Sequence, residues 1–120
     1  MTRVLIVDDS PTETHVLKTM LEKNSYTILL ASDGEEAISV CRSEKPDLVL
    51  MDVVMPGING FQATRTLSRD PDTSSIPVIM VTSKNQETDK EWARRQGAVD
   101  YVVKPVVEDQ LISKIQTVLN

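Results

Sequence analysis

The sequence predicts an α/β fold in which a central sheet of five parallel strands is covered by helices on both faces. Five short apolar runs alternate with segments of helical periodicity, as in repeated βα units, at residues 4–7, 27–31, 48–51, 76–81 and 101–103. These runs lack period-2 alternation, which is typical of strands that are buried on both faces. The length of 120 residues and the apolar content of 40% fit one domain over residues 1–120.

Start and stop signals define the first two helices. Ser10, Pro11 and Glu13 supply an N-cap, a proline at the first helical position and a glutamate placed to close a capping box. The apolar face of this helix is predicted to consist of Val16, Leu17, Met20 and Leu21. The second helix begins near Asp33 and ends before Pro46, because proline disfavours helix at the preceding residue. Its predicted buried residues are Ala37, Ile38, Val40 and Cys41.

Three further helices follow at residues 61–69, 87–96 and 108–119. The first of these is stopped by Asp70 and Pro71. The segment 87–96 is strongly polar, so we expect a weakly anchored helix with Trp92 as its packing anchor and Gly97 as its left-handed C-terminal residue. The last helix carries apolar residues at helical spacing along its whole length.

Composition excludes several classes of function. The formal net charge of −5 argues against binding to a phosphate backbone, which normally requires a basic face. No apolar run approaches the ~20 residues that cross a bilayer, so no membrane insertion is expected. Cys41 is the only cysteine and is expected to be a buried, reduced thiol, in keeping with a cytoplasmic protein.

Five polar residues lie at the ends of the apolar runs: Asp8, Asp9, Asp52, Thr82 and Lys104. Ligand sites of open parallel sheets lie beyond the carboxyl ends of the strands, so the five are predicted to meet in one pocket. Carboxylates ~4 Å apart repel by about 4 kcal/mol per pair at an effective dielectric of 20. Either a hard divalent cation such as Mg²⁺ or the ammonium of Lys104 would neutralise them.

Such a cluster can form an aspartyl phosphate, because a carboxylate screened by a cation can attack a phosphoryl group. Asp52 is the best nucleophile, since it stands alone after the central run, whereas the adjacent Asp8 and Asp9 suit a cation. Lys104 would screen the phosphoryl oxygens, and the Thr82 hydroxyl would donate a hydrogen bond to one of them.

The segments that carry these residues resemble the response regulator receiver domain of two-component signalling. They are Val7-Asp8-Asp9, residues 51–60, Thr82 and Lys104-Pro105, and the resemblance spans the whole chain. It implies a doubly wound, flavodoxin-like (βα)5 fold, also called CheY-like, with strand order 2-1-3-4-5 and no output domain. It also implies a histidine kinase as the phosphoryl donor to Asp52, and a phosphoacceptor switch in place of an enzyme.

The resemblance further implies specific roles. Asp9, Asp52 and the main-chain carbonyl of Val54 would bind Mg²⁺ directly, and Asp8 would act mainly through water. Lys104 would contact the phosphoryl group, and its bond to Pro105 would be cis. Thr82 and Tyr101 would form the switch that reshapes the surface of the fourth helix, the fifth strand and the fifth helix on phosphorylation.

Segments outside the phosphorylation motif, at residues 7–13, 60–65 and 86–90, are similar to stand-alone receivers of the chemotaxis-like systems that control type IV pilus twitching motility. This implies a CheA-type histidine kinase as donor, while the downstream target stays open. A phosphate sink, a metal-dependent aspartyl-phosphate phosphatase and an interaction module that has lost phosphorylation are the alternatives. We expect a monomer, with dimerisation on phosphorylation left open.

Overall fold

Five strands and five helices alternate along the chain in a computed structural model that describes all 120 residues. The strands are β1 (Arg3–Val7), β2 (Thr27–Ala31), β3 (Leu48–Met51), β4 (Val78–Thr82) and β5 (Asp100–Val103). The helices are α1 (Pro11–Lys23), α2 (Gly34–Glu44), α3 (Gly60–Arg69), α4 (Glu87–Gln96) and α5 (Glu108–Leu119). All strand pairs are parallel, in the order β2-β1-β3-β4-β5, which confirms the predicted fold.

Successive residues of β1 contribute to two separate hydrophobic cores. Leu5 and Val7 belong to the core on one face of the sheet, while Val4 and Ile6 belong to the core on the other face. The first core includes residues of α2, α3 and α4, and the second includes residues of α1 and α5. Because both faces are covered, every inner-strand position favours an apolar residue, which explains the missing period-2 pattern.

Two expected packing residues are exposed instead. Val16 is 42% exposed, because Leu17 and Leu21 of α1 face the core and Val16 lies ~100° away around the helix. Trp92 is 46% exposed, so its prediction as a packing anchor is wrong. The buried face of α4 is formed by Ala93 and Gln96.

The fourth strand begins two residues later than the sequence predicts. The N–H of Ile76 donates to Thr73 O in the preceding turn, and Pro77 has no N–H to offer a strand partner. The strand also ends one residue later than predicted, at Thr82. The predicted bounds of α4 and α5 are confirmed, and Gly97 has the expected positive φ of 108°. The longest helix has 13 residues, and none has the length and apolar composition needed to span a bilayer.

Candidate functional site

The sheet register brings the predicted site residues to one edge. Asp8, Asp52 and Lys104 come directly after β1, β3 and β5, and Thr82 ends β4. Backbone hydrogen bonds extend the ladders past the strand ends: Asp8 N–H donates to Ala31 O at 3.2 Å, and Asp52 N–H donates to Val7 O at 3.0 Å. Lys104 N–H likewise donates to Thr82 O at 2.8 Å. The main chain thus holds these residues at the same level.

Three carboxylates converge at this edge. Asp8, Asp9 and Asp52 each offer an oxygen, and these oxygens lie within 4.8 Å of one another. Asp8 and Asp52 are buried, with exposures of 5% and 9%, whereas Asp9 is exposed. A set of carboxylate oxygens with one member open to solvent fits a hard divalent cation such as Mg²⁺, which keeps part of its water shell.

Lys104 supplies the positive charge of the pocket. Its Nζ lies 2.8 Å from Asp8 Oδ2, 3.5 Å from Asp52 Oδ2 and 3.8 Å from Glu13 Oε2. Burial alone would lower the pKa of Lys104, but the hydrogen bond to Asp8 and the charges of Asp52, Asp8 and Glu13 outweigh it and raise that pKa. The side chain is therefore a fixed cation. The Lys104-Pro105 bond is cis, as expected.

Burial also sets the properties of Asp52. It raises the pKa of the Asp52 carboxyl, and the neighbouring charge of Asp8 adds to that rise. The charge of Lys104, the nearby Thr82 hydroxyl and the Val53 N–H, which donates to Asp52 Oδ1 at 2.7 Å, oppose this rise. A carboxylate with a raised pKa is more basic, and this favours attack on an electrophilic centre.

The loop after β3 fixes the backbone of Asp52. Gly60 N–H donates to Val53 O at 2.8 Å, and a Cβ at position 60 would lie 2.0 Å from Asp52 O. Only glycine permits this approach. Asn59 and Gln62 then close a capping box, with both side-chain hydrogen bonds at 2.9 Å, so α3 begins directly below the site.

The predicted capping box at the start of α1 forms only in part. Ser10 Oγ accepts the Glu13 N–H at 3.3 Å, but the Ser10 N–H donates to Asp8 Oδ1 at 2.9 Å. Because Asp8 occupies the amide that a capping box would use, the Glu13 carboxylate is directed to Lys104 instead. Sequence reasoning missed this contact, although the position of Glu13 in the first turn after the aspartate pair was a usable signal.

Thr82 and Tyr101 are linked through the loop after β4. Thr82 is fully buried, and its Oγ1 accepts the Lys84 N–H at 3.4 Å. The half-buried Tyr101 donates its hydroxyl to Lys84 O at 2.9 Å. Burial raises the pKa of Tyr101 to about 12, with smaller contributions from Asp89 and Asp52. Lys84 was not predicted to join these two residues.

Val54 lies at the mouth of the pocket with 62% exposure. Together with Asn59, Phe61 and Lys84 it lines a cleft of about 320 Å³. The other residues of this cleft are Val53 and Met55. Val54 itself offers no side-chain donor or acceptor, and the polar side chains of this cleft are those of Asn59 and Lys84.

Residues 4–116 match the response regulator receiver domain family. PilH of Pseudomonas aeruginosa is 59% identical over 119 residues, covering 99% of this chain and 98% of PilH. Several longer relatives, 33–38% identical, are covered over only 25–51% of their length.

Solved structures show the same architecture. The chemotaxis protein CheY4 of Vibrio cholerae superposes with a TM-score of 0.93 at 28% identity, covering 99% of each chain. The receiver domain of a sensor histidine kinase from Pseudomonas aeruginosa, with a magnesium ion coordinated in its active-site cleft, has a TM-score of 0.91 at 28% identity, covering 98% of this chain and 97% of that one. This chain therefore belongs to the response regulator receiver domain family.

Proposed function

We propose that this chain is a phosphoacceptor switch in which Asp52 takes a phosphoryl group from a histidine kinase. The observation that supports it most directly is the position of the Asp52 carboxylate. It is buried at the strand edge, 3.5 Å from Lys104 Nζ and beside the carboxylates of Asp8 and Asp9. A basic carboxylate between a fixed cation and a set of metal-binding oxygens suits in-line phosphoryl transfer.

The chemistry assigns each residue a task. An Asp52 Oδ attacks the phosphorus, the new O–P bond forms as the N–P bond to the donor imidazole breaks, and the bonding pair stays on that nitrogen. Lys104 moves from Asp8 toward a phosphoryl oxygen, and the Thr82 hydroxyl donates to another. Mg²⁺, held directly by Asp9, Asp52 and the Val54 carbonyl, with Asp8 acting through water, would screen the transferred charge.

The same residues support a switch. Thr82 donates to the phosphoryl oxygen only in the phosphorylated form, so phosphorylation favours the arrangement in which Thr82 has moved toward Asp52. Tyr101 follows through their shared contacts with Lys84. The surface of α4, β5 and α5 then changes shape for a partner protein.

We assign this activity to a receiver like PilH, in a chemotaxis-like pathway of twitching motility with a CheA-type kinase. The 59% identity to PilH along nearly the whole of both chains supports this. A phosphatase that turns over is less well supported, since such enzymes commonly carry an acid/base aspartate two residues after the nucleophile, where Val54 stands here. Val54 therefore favours a switch over an enzyme that releases product.

Incubation with Mg²⁺ and acetyl phosphate tests the chemistry. We expect one acid-stable, hydroxylamine-labile phosphoryl group per chain, absent from Asp52→Asn and retained in Asp109→Asn, a matched substitution at an exposed position of α5. Absence of labelling in the wild-type protein would refute the proposal, and rapid multiple turnover would favour the phosphatase.

For the pathway, the gene is introduced into Pseudomonas aeruginosa lacking PilH. Restoration of twitching by the wild type but not by Asp52→Asn supports the assignment, and restoration by neither contradicts it.

A further inference from the structure

Lys84 is the meeting point of three elements around the switch residues. Its N–H donates to Thr82 Oγ1 of β4 at 3.4 Å, and its carbonyl accepts the hydroxyl of Tyr101 of β5 at 2.9 Å. Its ammonium lies 3.8 Å from Asp89 Oδ1, in the first turn of α4. One residue thus connects the end of β4, the side chain of β5 and the following helix.

Asp89 holds the start of α4 by its other oxygen. Asp89 Oδ2 accepts the N–H of Gln86, the N-cap residue, at 3.3 Å. The carboxylate therefore bridges the helix start and the Lys84 ammonium. Its side chain is only 18% exposed, the least exposed acidic partner in an ion pair outside the Asp8 and Asp52 pocket. An acid so placed is held in a fixed geometry.

The rest of α4 is weakly held. Only Ala93 and Gln96 are buried along its ten residues. Its other ion pairs lie within the helix and are Glu87–Lys90, Glu91–Arg94 and Glu91–Arg95. Because these pairs join residues of α4 to one another, they do not connect the helix to the phosphorylation pocket. Lys84–Asp89 is the only ion pair between α4 and another part of the chain.

We propose that Asp89 is a positioning residue that couples the first turn of α4 to the phosphorylation pocket through Lys84. When Thr82 moves toward the phosphoryl group, Lys84 is displaced through the amide that bonds to Thr82. The Lys84 ammonium then displaces the Asp89 carboxylate through their ion pair, and Asp89 displaces Gln86, the N-cap of α4, through their hydrogen bond. This inference rests on the proposed function, which supplies the displacement of Thr82, and it adds the route by which that displacement reaches α4.

Trp92 is a built-in reporter for the test. It is the only tryptophan, lies on α4 and is 46% exposed, so its emission reports a change in the surroundings of the helix. The measurement is the change in Trp92 emission when Mg²⁺ and acetyl phosphate are added, divided by the phosphorylated fraction of each sample from mass spectrometry.

Asp89→Asn removes the charge but keeps an oxygen that can accept the Gln86 N–H. We expect it to lose at least half of the normalised Trp92 response. The matched control Glu87→Gln removes a charge from the same turn without touching Lys84, and we expect the full response. Asp89→Glu restores the charge and more than half of the response. Lys84→Met loses as much as Asp89→Asn, and the double variant loses no more than either single one.

The outcomes separate this inference from the proposed function. A full Trp92 response in phosphorylated Asp89→Asn, or an equal loss in Glu87→Gln, overturns the coupling alone. A wild-type protein that is phosphorylated without any change in Trp92 emission overturns it as well, because the inference requires α4 to move. A wild-type protein that takes no phosphoryl group overturns the proposed function, and the coupling with it.

Discussion

Lys104 Nζ lies closer to Asp8 than to Asp52, at 2.8 Å from Asp8 Oδ2 compared with 3.5 Å from Asp52 Oδ2. The Lys104 and Asp8 side chains are 12% and 2% exposed, which makes this the most buried ion pair in the protein. Lys104 therefore neutralises the Asp8 carboxylate more strongly than the Asp52 carboxylate, and Asp52 stays the more basic for it. In the proposed mechanism, the Lys104 ammonium can turn from Asp8 to a phosphoryl oxygen without leaving the pocket.

Lys104→Met is expected to destabilise the protein by about 3 kcal/mol without Mg²⁺, because it leaves buried carboxylates with no cation. Urea unfolding measures this. The control is Lys114→Met, which breaks the exposed pair with Asp100 at 3.1 Å and should cost no more than about 1 kcal/mol. Equal losses in the two variants would show that the pocket does not depend on Lys104 for charge balance.

Asp52→Asn is expected to stabilise the protein at neutral pH. The pKa of Asp52 is raised in the folded state, so the unfolded chain loses this proton first and the ionised carboxylate costs folding free energy. The wild type therefore loses stability as pH rises from the unfolded value of about 3.9 through the raised folded value. Unfolding in urea from pH 4.5 to 7.5 without Mg²⁺ should show a gain in the variant that grows with pH, and a gain constant with pH would contradict this.

Millimolar Mg²⁺ is expected to stabilise the wild-type protein, because binding to the native cluster of Asp8, Asp9 and Asp52 relieves their repulsion. At tenfold above the dissociation constant the gain is about 1.4 kcal/mol, or a rise in Tm of about 6 °C. Thermal unfolding at matched ionic strength measures it. Asp9→Asn should lose most of the rise while Glu22→Gln, an exposed acid on α1, keeps it. An unchanged wild-type Tm would refute the prediction.

Gly60→Ala is expected to destabilise the protein by about 3 kcal/mol or to displace Asp52, because the added Cβ would lie 2.0 Å from Asp52 O. Gly57→Ala is the informative comparison. Position 57 has a positive φ of 75°, but an added Cβ would have nothing within 4 Å. Gly57→Ala should therefore lower the free energy of unfolding by about 1 kcal/mol, from backbone strain alone. Unfolding in urea compares them, and a smaller loss at position 60 than at 57 would count against the close approach.

Val54→Asn is expected to speed spontaneous loss of the phosphoryl group several-fold. Valine offers no hydrogen bond to an attacking water, and Val54 is 62% exposed at the mouth of the pocket. Decay of the labelled protein, freed of acetyl phosphate and kept in Mg²⁺, measures the rate. Val107→Asn introduces the same side chain at another exposed valine, 53% exposed before α5, and should leave the decay unchanged. An unchanged or slower decay in Val54→Asn would show that water does not pass this residue.

Much of the fold could be predicted from local pattern. The bounds of α4 and α5, the left-handed Gly97 and the four-residue span of β3 follow from periodicity and stop signals, which act over a few residues. The strand order was implied by family resemblance and not by periodicity, because an apolar run carries no record of its neighbours in the sheet.

The sequence by itself determined which side chains meet, since parallel strands deliver the residues that follow them to one edge of the sheet. Only the tertiary structure decided how those side chains divide their contacts. Lys104 lies closer to Asp8 than to Asp52, and Glu13 contacts Lys104 instead of closing a capping box. Trp92 is exposed, while Ala93 is buried. Each outcome depends on distances of a few ångströms between elements far apart in sequence, and side-chain packing across those elements sets them.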